Sequence, residues 1–287
     1  MEPYRDTGPL DCNLDIDTTS IKGKTAIITG GANGIGEGYV RGLVEAGAFV
    51  IIADINETVG TELASTLERT KFVKCDVTSW RDQLNVFEEA TAFSPKRRVD
   101  IVVANAGISG VDSVFAFEEQ DEPEEPVLNI VNINLIGVLY TVKLALYYFR
   151  RQHAAQAEPL QDTLLVLQGS MGGYLEAAAT LQYCASNFIK TALMSDEVAH
   201  TLTSAGVNFA TVDDAGRALL RLAADTKATG RSLAILPREL TPSGYVDLNL
   251  DDFPKGTPLR VMQDTALATA HRLKARNPIL CLTDMVY

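Results

Sequence analysis

The sequence is poor in the residues that build metal centres and disulfide frameworks. Its 287 residues include 4 cysteines and 3 histidines. The cysteines are scattered and form no CxxC pair, so we expect buried free thiols and a reducing compartment. No histidine has a second candidate ligand at metal-binding spacing, and the sequence therefore predicts no metal site.

Positive charge and long apolar runs are also scarce. Lys and Arg total 25 against 37 Asp and Glu, which gives a formal net charge of -12. A surface of that sign repels phosphate, so the expected partners are small molecules and not nucleic acids or anionic membranes. No uninterrupted apolar run reaches the roughly 18 residues that a membrane-spanning helix needs, and the first residues show no basic and apolar leader pattern. We therefore expect no membrane partner and a cytoplasmic location.

Short β-branched runs alternate with helical stretches from Lys24 onward. Apolar runs between helices are typical of strands buried on both faces, as in a doubly wound parallel sheet. We therefore predict a single α/β domain built on such a sheet of about seven strands. The predicted strands are TAIIT, AFVIIAD, KFVKCD, VDIVVANAG, TLLVLQG, VNFATV and SLAILP.

The alternation ends before both termini. It covers residues 22–237, which we take as the domain, and leaves residues 1–21 as an N-terminal extension and residues 238–287 as a C-terminal tail. The pattern over residues 258–276 favours one amphipathic helix in the tail.

A glycine-rich turn, TGGANGIGEG, joins the first strand to the first helix. It contains Gly30, Asn33, Gly34, Ile35 and Gly36. Glycines at this place permit a tight turn and close approach of the backbone to a pyrophosphate, while the following helix offers amide donors and the positive end of its dipole. The turn therefore predicts a dinucleotide-binding site.

The second predicted strand ends in a carboxylate, Asp54, eighteen residues after Gly36. A carboxylate here can accept hydrogen bonds from the adenosine ribose and would repel a 2′-phosphate. NAD(H) is therefore the favoured cofactor, and NADP(H) is the alternative.

Two further strand ends carry residues suited to the same ligand. Asp76 follows the third strand, where its carboxylate can bond the adenine amine. Asn105, Ala106 and Gly107 close the fourth strand, where small residues let a cofactor lie against the sheet edge. Because ligands of such sheets bind at the carboxyl ends of the strands, we expect these residues to line one pocket.

These segments resemble the short-chain dehydrogenase/reductase family, in its compact type, over residues 22 to about 237. The resemblance implies a Rossmann-like fold. It also implies an NAD(P)-dependent oxidoreductase that transfers hydride between a nicotinamide cofactor and a secondary alcohol or ketone. The segments that carry it are TGGANGIG, Asp54, the pair Asp76 and Val77, NAG at 105–107, and NINLIGV around Asn134.

The resemblance further implies the catalytic residues. Ser170 in LQGSMGGY matches the family's substrate-binding serine, and Tyr183, thirteen residues later, matches its catalytic tyrosine. Asn134 matches the helix asparagine that supports a proton-relay water. Tyr183 and Asn187 are also expected beside the cofactor ribose.

Family members commonly pair through two long helices, here about 127–151 and 180–204. The resemblance therefore implies a homodimer or homotetramer.

One residue of the stretch LQYCASNFIK departs from the family pattern. The family places a lysine four residues after the tyrosine, where its ammonium stabilises the phenolate, and this chain has Asn187. An amide carries no charge, so we expect Tyr183 to be a weaker base. Lys190, three residues farther along the same helix face, offers a replacement only if it reaches back toward the phenol.

A second departure follows the predicted strand VNFATV. The family has there a Pro-Gly turn and a segment that covers the substrate, whereas a helical stretch, DDAGRALLRLAAD, follows here at once. The two departures keep an alternative open, namely a protein that binds dinucleotide but has lost redox catalysis and serves as a scaffold, partner subunit or non-redox enzyme. A gene model that has lost the covering segment is a third explanation.

Overall fold

The computed structural model of the chain describes residues 10–110, 112–115, 122–154, 162–170, 181–186, 210–225 and 231–248, with Thr257 and Arg260. Within them, five parallel strands form the central sheet in the order β3-β2-β1-β4-β5. The strands are β1 (Thr25–Thr29), β2 (Phe49–Asp54), β3 (Thr70–Lys74), β4 (Ile101–Ala104) and β5 (Leu164–Leu167).

Helices cover both faces of this sheet. They are α1 (Gly34–Glu45), α2 (Glu57–Thr66), α3 (Trp80–Phe93), α4 (Asn129–Val131), α5 (Val138–Ala154), α6 (Leu181–Ser186) and α7 (Val212–Ala224). A π-helical segment, Asn132–Gly137, joins α4 to α5, and 3-10 turns span Thr19–Ile21 and Ser113–Phe115.

Neighbouring residues of the central strand point to opposite helical layers. Ile28 shares a core with Leu43 of α1 and Leu219 of α7, whereas Ile27 shares a core with Phe87 of α3 and with side chains of α5. Successive side chains of a strand alternate between faces, so a strand covered on both faces must be apolar throughout. The predicted α/β domain with a doubly wound parallel sheet is confirmed.

Two of the seven predicted strands do not lie in this sheet within the described residues. SLAILP forms β6 (Leu233–Ile235), which pairs antiparallel with β7 (Tyr245–Asp247) in a separate two-stranded sheet. For the predicted strand VNFATV, residues 207–209 lie outside the described part, and its last residue, Val212, begins α7. The described residues therefore place five strands in the parallel sheet, where the sequence suggested about seven.

The β6–β7 hairpin shares a small core with the N-terminal segment and α7. Tyr245 is fully buried and packs with Cys12 and with Ala218 of α7. The backbone N–H of Leu10 donates to the carboxylate of Asp247 at 2.9 Å. SLAILP is apolar because it packs in this small core. A count of apolar runs does not distinguish such a strand from a strand of the central sheet. The hairpin crosses the boundary that the sequence suggests at residue 237.

One helix of the described residues, Asn129–His153, is long and apolar enough by length and composition to cross a membrane. The sequence has no uninterrupted apolar run of that length, because Asn132, Asn134 and Lys143 lie within this stretch. A core helix of a soluble protein meets the same criteria, and Leu144, Ala145 and Phe149 are buried against the sheet. The helix is therefore weak evidence for a membrane.

Helices α1 and α7 approach each other at glycine residues. A Cβ atom on Gly38 would lie 2.2 Å from the carbonyl oxygen of Val212, far inside van der Waals contact. A Cβ atom on Gly42 would lie 3.5 Å from the Cα atom of Gly216, an ordinary contact distance. The contact at Gly38 holds the start of α7 beside the first turns of α1.

We predict that Gly38→Ala destabilises the protein and that Gly42→Ala does not. The first methyl group collides with a main-chain oxygen, and such overpacking costs about 1–3 kcal/mol. The second methyl group fits, and replacing a helical glycine with alanine should stabilise the helix by about 0.5–1 kcal/mol. Thermal or urea unfolding of the two variants measures the difference. Equal stability of the two variants would contradict the close approach of α7 to α1.

Candidate active site

A cavity of about 450 Å³ opens at the carboxyl ends of β1 to β4. Parallel strands bring these ends to one edge of the sheet, which is where ligands bind in such folds. The eleven residues predicted from the glycine turn and the strand ends all line this cavity. They are Gly30, Asn33, Gly34, Ile35, Gly36, Asp54, Asp76, Val77, Asn105, Ala106 and Gly107.

The glycine turn fits against the sheet because Gly30 and Gly36 have no side chains. Gly30 has φ near +64°, and a Cβ atom on it would lie 2.7 Å from the Cα atom of Ala106. A Cβ atom on Gly36 would lie 2.0 Å from the carbonyl oxygen of Gly30. Gly34 also has positive φ, and no atom lies within 4 Å of the Cβ position there. The turn is therefore closed on the sheet side and open on the cavity side.

The first turn of α1 has amide groups available to a ligand. Its N-cap residue, Asn33, makes no side-chain capping bond, whereas α2, α3 and α7 are capped by Asn56, Ser79 and Thr211. The first amides of a helix have no partner within the helix and carry the positive end of its dipole. An anionic pyrophosphate fits this position, so the residues present suit a dinucleotide.

Asp54 is tied to the glycine turn as well as to the cavity. One carboxylate oxygen accepts the backbone N–H of Ala32 at 3.0 Å, and the other accepts that of Asn56 at 2.9 Å. The side chain is largely buried but lines the cavity. A carboxylate oxygen can accept more than one hydrogen bond, so these contacts leave capacity for a ribose hydroxyl.

Asn105 joins the end of β4 to the same turn. Its side-chain amide donates to the carbonyl oxygens of Thr29 and Gly30, each at 3.0 Å. The hydroxyl of Thr29 in turn accepts the backbone N–H groups of Asn105 and Ala106. The sequence suggested that small size matters at the end of β4, and the structure adds a hydrogen-bonding role for Asn105.

Asp76 and Val77 lie on the third side of the cavity. Asp76 accepts bonds from the backbone N–H and the hydroxyl of Thr78, at 2.9 and 2.7 Å. The buried amide of Gln83 donates to the carbonyl oxygens of Val77 and Gly137, at 2.6 and 2.8 Å. Gln83 therefore connects the loop after β3 with the π-helical segment.

The cavity is acidic over the part that the structure describes. Its described lining includes the carboxylates of Asp54 and Asp76 and no Lys or Arg side chain. Burial, assisted by nearby carboxylates, raises the pKa of the Cys75 thiol in the same wall to about 12. The thiol therefore stays protonated at neutral pH and is not a nucleophile.

The predicted serine and tyrosine meet. The hydroxyl of Tyr183 on α6 donates to the Oγ atom of Ser170, after β5, at 3.2 Å. Two hydroxyls at this distance are able to bind one substrate oxygen and exchange a proton with it. Neither residue is among those that line the cavity, so the pair forms a separate part of the site.

Asn134 is fully buried in the π-helical segment, and both polar atoms of its side chain are hydrogen-bonded. Its Oδ1 atom accepts the backbone N–H of Ile108 at 2.9 Å, and its Nδ2 atom donates to the carbonyl oxygen of Ile108 at 2.8 Å. A relay water at this place would therefore use main-chain groups of the π-helical segment. Such segments often occur at functional sites.

The residues after β5 are also held by α1, which packs on the other face of the sheet from α5. The hydroxyl of buried Tyr39 on α1 donates to the side chain of Gln168, two residues before Ser170. The amide of Gln168 donates to the carbonyl oxygen of Gly169 at 3.1 Å. Burial raises the pKa of Tyr39, which therefore acts as a neutral donor.

Six residues that line the cavity are not predicted by the sequence motifs. Four of them lie one or two residues from predicted cavity residues, so extending each motif by one or two positions would have found them. Ile133 lies one residue before Asn134, and Val212 is distant in sequence and had no local signal. The six are Ile55, Asn56, Cys75, Ile108, Ile133 and Val212.

Two residues of the sequence argument, Asn187 and Lys190, lie outside the described residues. The assignment of Asn187 to the family's lysine position therefore stays a prediction from the sequence.

The chain is similar to a large group of known dehydrogenases. The model of the family described as short chain dehydrogenase matches residues 24–216. Over 203 residues the chain is 37% identical to 5′-hydroxyaverantin dehydrogenase of Dothistroma septosporum, covering 66% of each chain. Over 213 residues it is 32% identical to NADP-dependent dehydrogenase clz5 of Cochliobolus lunatus, covering 70% of this chain and 73% of the relative. The match to NADP-dependent dehydrogenase M3 of a Phoma species covers only 56% of that relative.

Solved structures share the fold. A short chain dehydrogenase from Mycobacterium smegmatis superposes with a TM-score of 0.51 and 25% identity, over 61% of this chain and 69% of that chain. The protein gox2181 superposes with a TM-score of 0.57 and 24% identity, over 72% of this chain and 92% of that chain.

We predict that Gly36→Ala weakens NADH binding by at least about tenfold, a loss of about 1.4 kcal/mol. The added methyl group would lie 2.0 Å from the carbonyl oxygen of Gly30, so the turn has to open. Gly42→Ala adds the same group to the same helix away from the cavity and should bind NADH as the wild type does. Fluorescence titration with NADH measures both. Unchanged binding by the Gly36 variant would contradict the role of this turn as the cofactor cradle.

Proposed function

The chain belongs to the short-chain dehydrogenase family, as its motifs indicated, and on that premise we propose that it is an NAD(P)-dependent oxidoreductase. It would transfer hydride between a nicotinamide cofactor and a secondary alcohol or ketone. The observation that carries this proposal is the 3.2 Å hydrogen bond between Tyr183 and Ser170, in a protein whose cavity fits a dinucleotide. The relatives are dehydrogenases by name, which does not favour the alternative of a scaffold without redox activity.

The cofactor half of the site offers donors or acceptors for the pyrophosphate, the adenosine ribose and the adenine of a dinucleotide. The amides at the start of α1 would hold the pyrophosphate beside Gly34 and Gly36. Asp54 would accept hydrogen bonds from the adenosine ribose, and Asp76 from the adenine amine. Ile55, 63% exposed, and Val77 supply apolar surface for the adenine ring.

The catalytic half would work through two hydroxyls. When bound, NAD(H) supplies hydride transfer at the substrate carbon. Ser170 would hold the substrate oxygen with its hydroxyl, and Tyr183 would donate a proton to that oxygen in reduction or accept one in oxidation. A ketone thus gains a hydride at carbon and a proton at oxygen, and an alcohol loses both.

We predict that Tyr183→Phe lowers kcat by about 100-fold or more, since a positioned acid or base contributes about 10²–10⁴-fold. NADH affinity should fall by less than about tenfold, because the glycine turn and the strand ends form most of the predicted cradle and Tyr183 would add one hydrogen bond at the ribose. Tyr147→Phe, which removes a half-exposed hydroxyl on α5, should keep the wild-type rate. The assay follows the nicotinamide absorbance band with a panel of secondary alcohols and ketones.

Two outcomes of that assay would count against the proposal. A wild-type rate in the Tyr183 variant would remove Tyr183 from the mechanism. Tight NADH binding with no turnover by the wild type on any substrate would favour the scaffold function.

Within this proposal NAD(H) is the preferred cofactor. Asp54 and Asp76 would repel a 2′-phosphate, and no basic side chain of the described lining offsets them. Two relatives are named as NADP-dependent. The preference for NAD(H) is therefore argued from the residues of this chain and not from its relatives.

We predict that wild-type protein binds NADH at least about tenfold more tightly than NADPH, a difference of about 1.4 kcal/mol. Ile55→Arg should narrow this gap, because it places a guanidinium beside the ribose position without touching the bonds of Asp54 to the turn. Ile55→Gln is the matched control, since it adds a polar side chain without charge. Titration with both cofactors decides, and tighter NADPH binding by the wild type would refute the argument from Asp54.

The proposal also includes a homodimer or homotetramer in the cytoplasm, as expected from the sequence. Leu139 and Tyr147 on α5 are about half exposed, which supports pairing through this helix. Sedimentation of the purified protein tests the oligomer, and a monomer would contradict it.

A further inference from the structure

We propose that Asp112 and Gln182 form a clamp that positions Tyr183 for proton transfer. Gln182 directly precedes Tyr183 on α6, and Asp112 belongs to the segment that leaves the cofactor cavity after β4. The inference rests on the catalytic role proposed for Tyr183 and adds two positioning residues to it.

The carboxylate of Asp112 accepts hydrogen bonds from both the main chain and the side chain of Gln182. Its Oδ2 atom accepts the backbone N–H of Gln182 at 2.7 Å, and its Oδ1 atom accepts the Nε2 atom of Gln182 at 2.8 Å. Oδ1 also accepts the backbone N–H of Val114 at 3.1 Å. Asp112 is 3% exposed and Gln182 is 4% exposed, so little of either side chain is open to water.

The carboxylate of Asp112 is charged at neutral pH. Burial alone would raise its pKa, but the hydrogen bonds from Gln182 and Val114 outweigh that effect and hold the pKa of this carboxyl below its usual range. An ionised carboxylate accepts hydrogen bonds only, and all three of its partners are donors. Charge-assisted bonds of this kind are stronger than bonds between neutral groups.

A third segment joins the clamp at the entrance to α4. The Nε2 atom of Gln182 also donates to the carbonyl oxygen of Val127 at 3.0 Å. The backbone N–H of Val127 in turn donates to the hydroxyl of Ser113 at 2.8 Å. Gln182 thus fixes α6 against two separate chain segments, and rotation of α6 would break three hydrogen bonds at once.

The clamp is continuous with the cofactor cavity. Ile108 lines the cavity and is held at both its N–H and its carbonyl oxygen by Asn134. Asp112 follows four residues later and holds Gln182. Ile108 and Asp112 are thus each hydrogen-bonded to a buried side chain, and these bonds relate the position of Tyr183 to that of the cavity. Proton transfer requires hydrogen-bond distance, and an error of about 1 Å can cost about 100-fold in rate.

Two variants test the clamp. Gln182→Met keeps the size of the side chain but removes the side-chain bonds, and Asp112→Asn turns one acceptor into a donor. Each should lower kcat at least about tenfold while NADH affinity stays within about twofold, because the cradle of the cofactor is untouched. The kcat of the double variant should be little lower than that of the less active single variant, because both substitutions remove the same interaction. Turnover is measured with NAD⁺ and cyclohexanol or with NADH and cyclohexanone, and, if neither is a substrate, with the best member of the panel.

A stability control separates positioning from general damage. Phe149→Leu opens space in the core near the end of α5. Gln152 on the same helix bonds Val99, which precedes β4, so this region lies at the amino ends of the strands, away from the cavity. This variant should lose stability but keep kcat. Equal loss of kcat in Phe149→Leu and in the clamp variants would overturn the proposal.

Hydrogen exchange tests the clamp without any substrate. Both clamp variants should raise exchange at residues 181–186 and 108–115 and leave it unchanged at residues 25–56, which include the glycine turn. Unchanged exchange at 181–186, or wild-type kcat in both variants of an active enzyme, would overturn the clamp and leave the proposed function standing. An inactive wild type would count against the proposed function, while exchange would still decide whether the clamp holds α6.

Discussion

The candidate site depends on one close approach, that of the glycine turn to the end of β4. The Cα atom of Ala106 lies where a side chain on Gly30 would have to go, and the amide of Asn105 bonds the carbonyl oxygens of Thr29 and Gly30. These contacts fix the turn so that its other side faces the cavity and α1 begins there with open amides. Because this arrangement uses backbone and one short side chain, it leaves little freedom to the dinucleotide end of the site.

The substrate end is held in a different way, by buried polar side chains that cross between segments. Asn134 holds Ile108, Tyr39 holds Gln168, and Asp112 holds Gln182. Such bonds give precise positions in a low-dielectric interior, but the loss of one partner leaves the other buried and unpaired. Ser170 and Tyr183 therefore depend on contacts that are more easily disturbed than the packing beneath the glycine turn.

Local sequence patterns indicated eleven of the residues that line the cavity, for a physical reason. A parallel sheet brings successive strand ends to one edge, so Asp54 and Asn105 could be placed together from their positions alone. The meeting of Ser170 and Tyr183 was expected only through family resemblance. The clamp of Asp112 and Gln182 was not predictable, because side chains seventy residues apart carry no shared pattern.

Long-range packing also explains what the sequence analysis placed wrongly or overlooked. SLAILP has the composition of a central strand, yet its pairing partner, β7, has no distinctive pattern, so composition could not reveal the hairpin. Val212 reaches the cavity because Gly38 lets α7 approach α1, a contact between elements far apart in sequence.

Three of the described helices, α1, α2 and α7, begin beside the cavity, and among them only α1 has no side-chain cap and is arranged to receive an anion. The first turn of α7 carries a reciprocal cap, in which Thr211 and Asp214 bond each other's backbone N–H groups. Hydrogen bonds from Thr211 and Arg238 outweigh burial and hold the pKa of the Asp214 carboxyl below its usual range, so negative charge stays at this helix end. Val212 therefore adds an apolar wall, and the phosphates of a dinucleotide depend on α1 and the glycine turn. Those phosphate contacts do not involve the stretch after VNFATV, where the sequence departs from the expected family pattern, so that departure bears on the substrate end of the site.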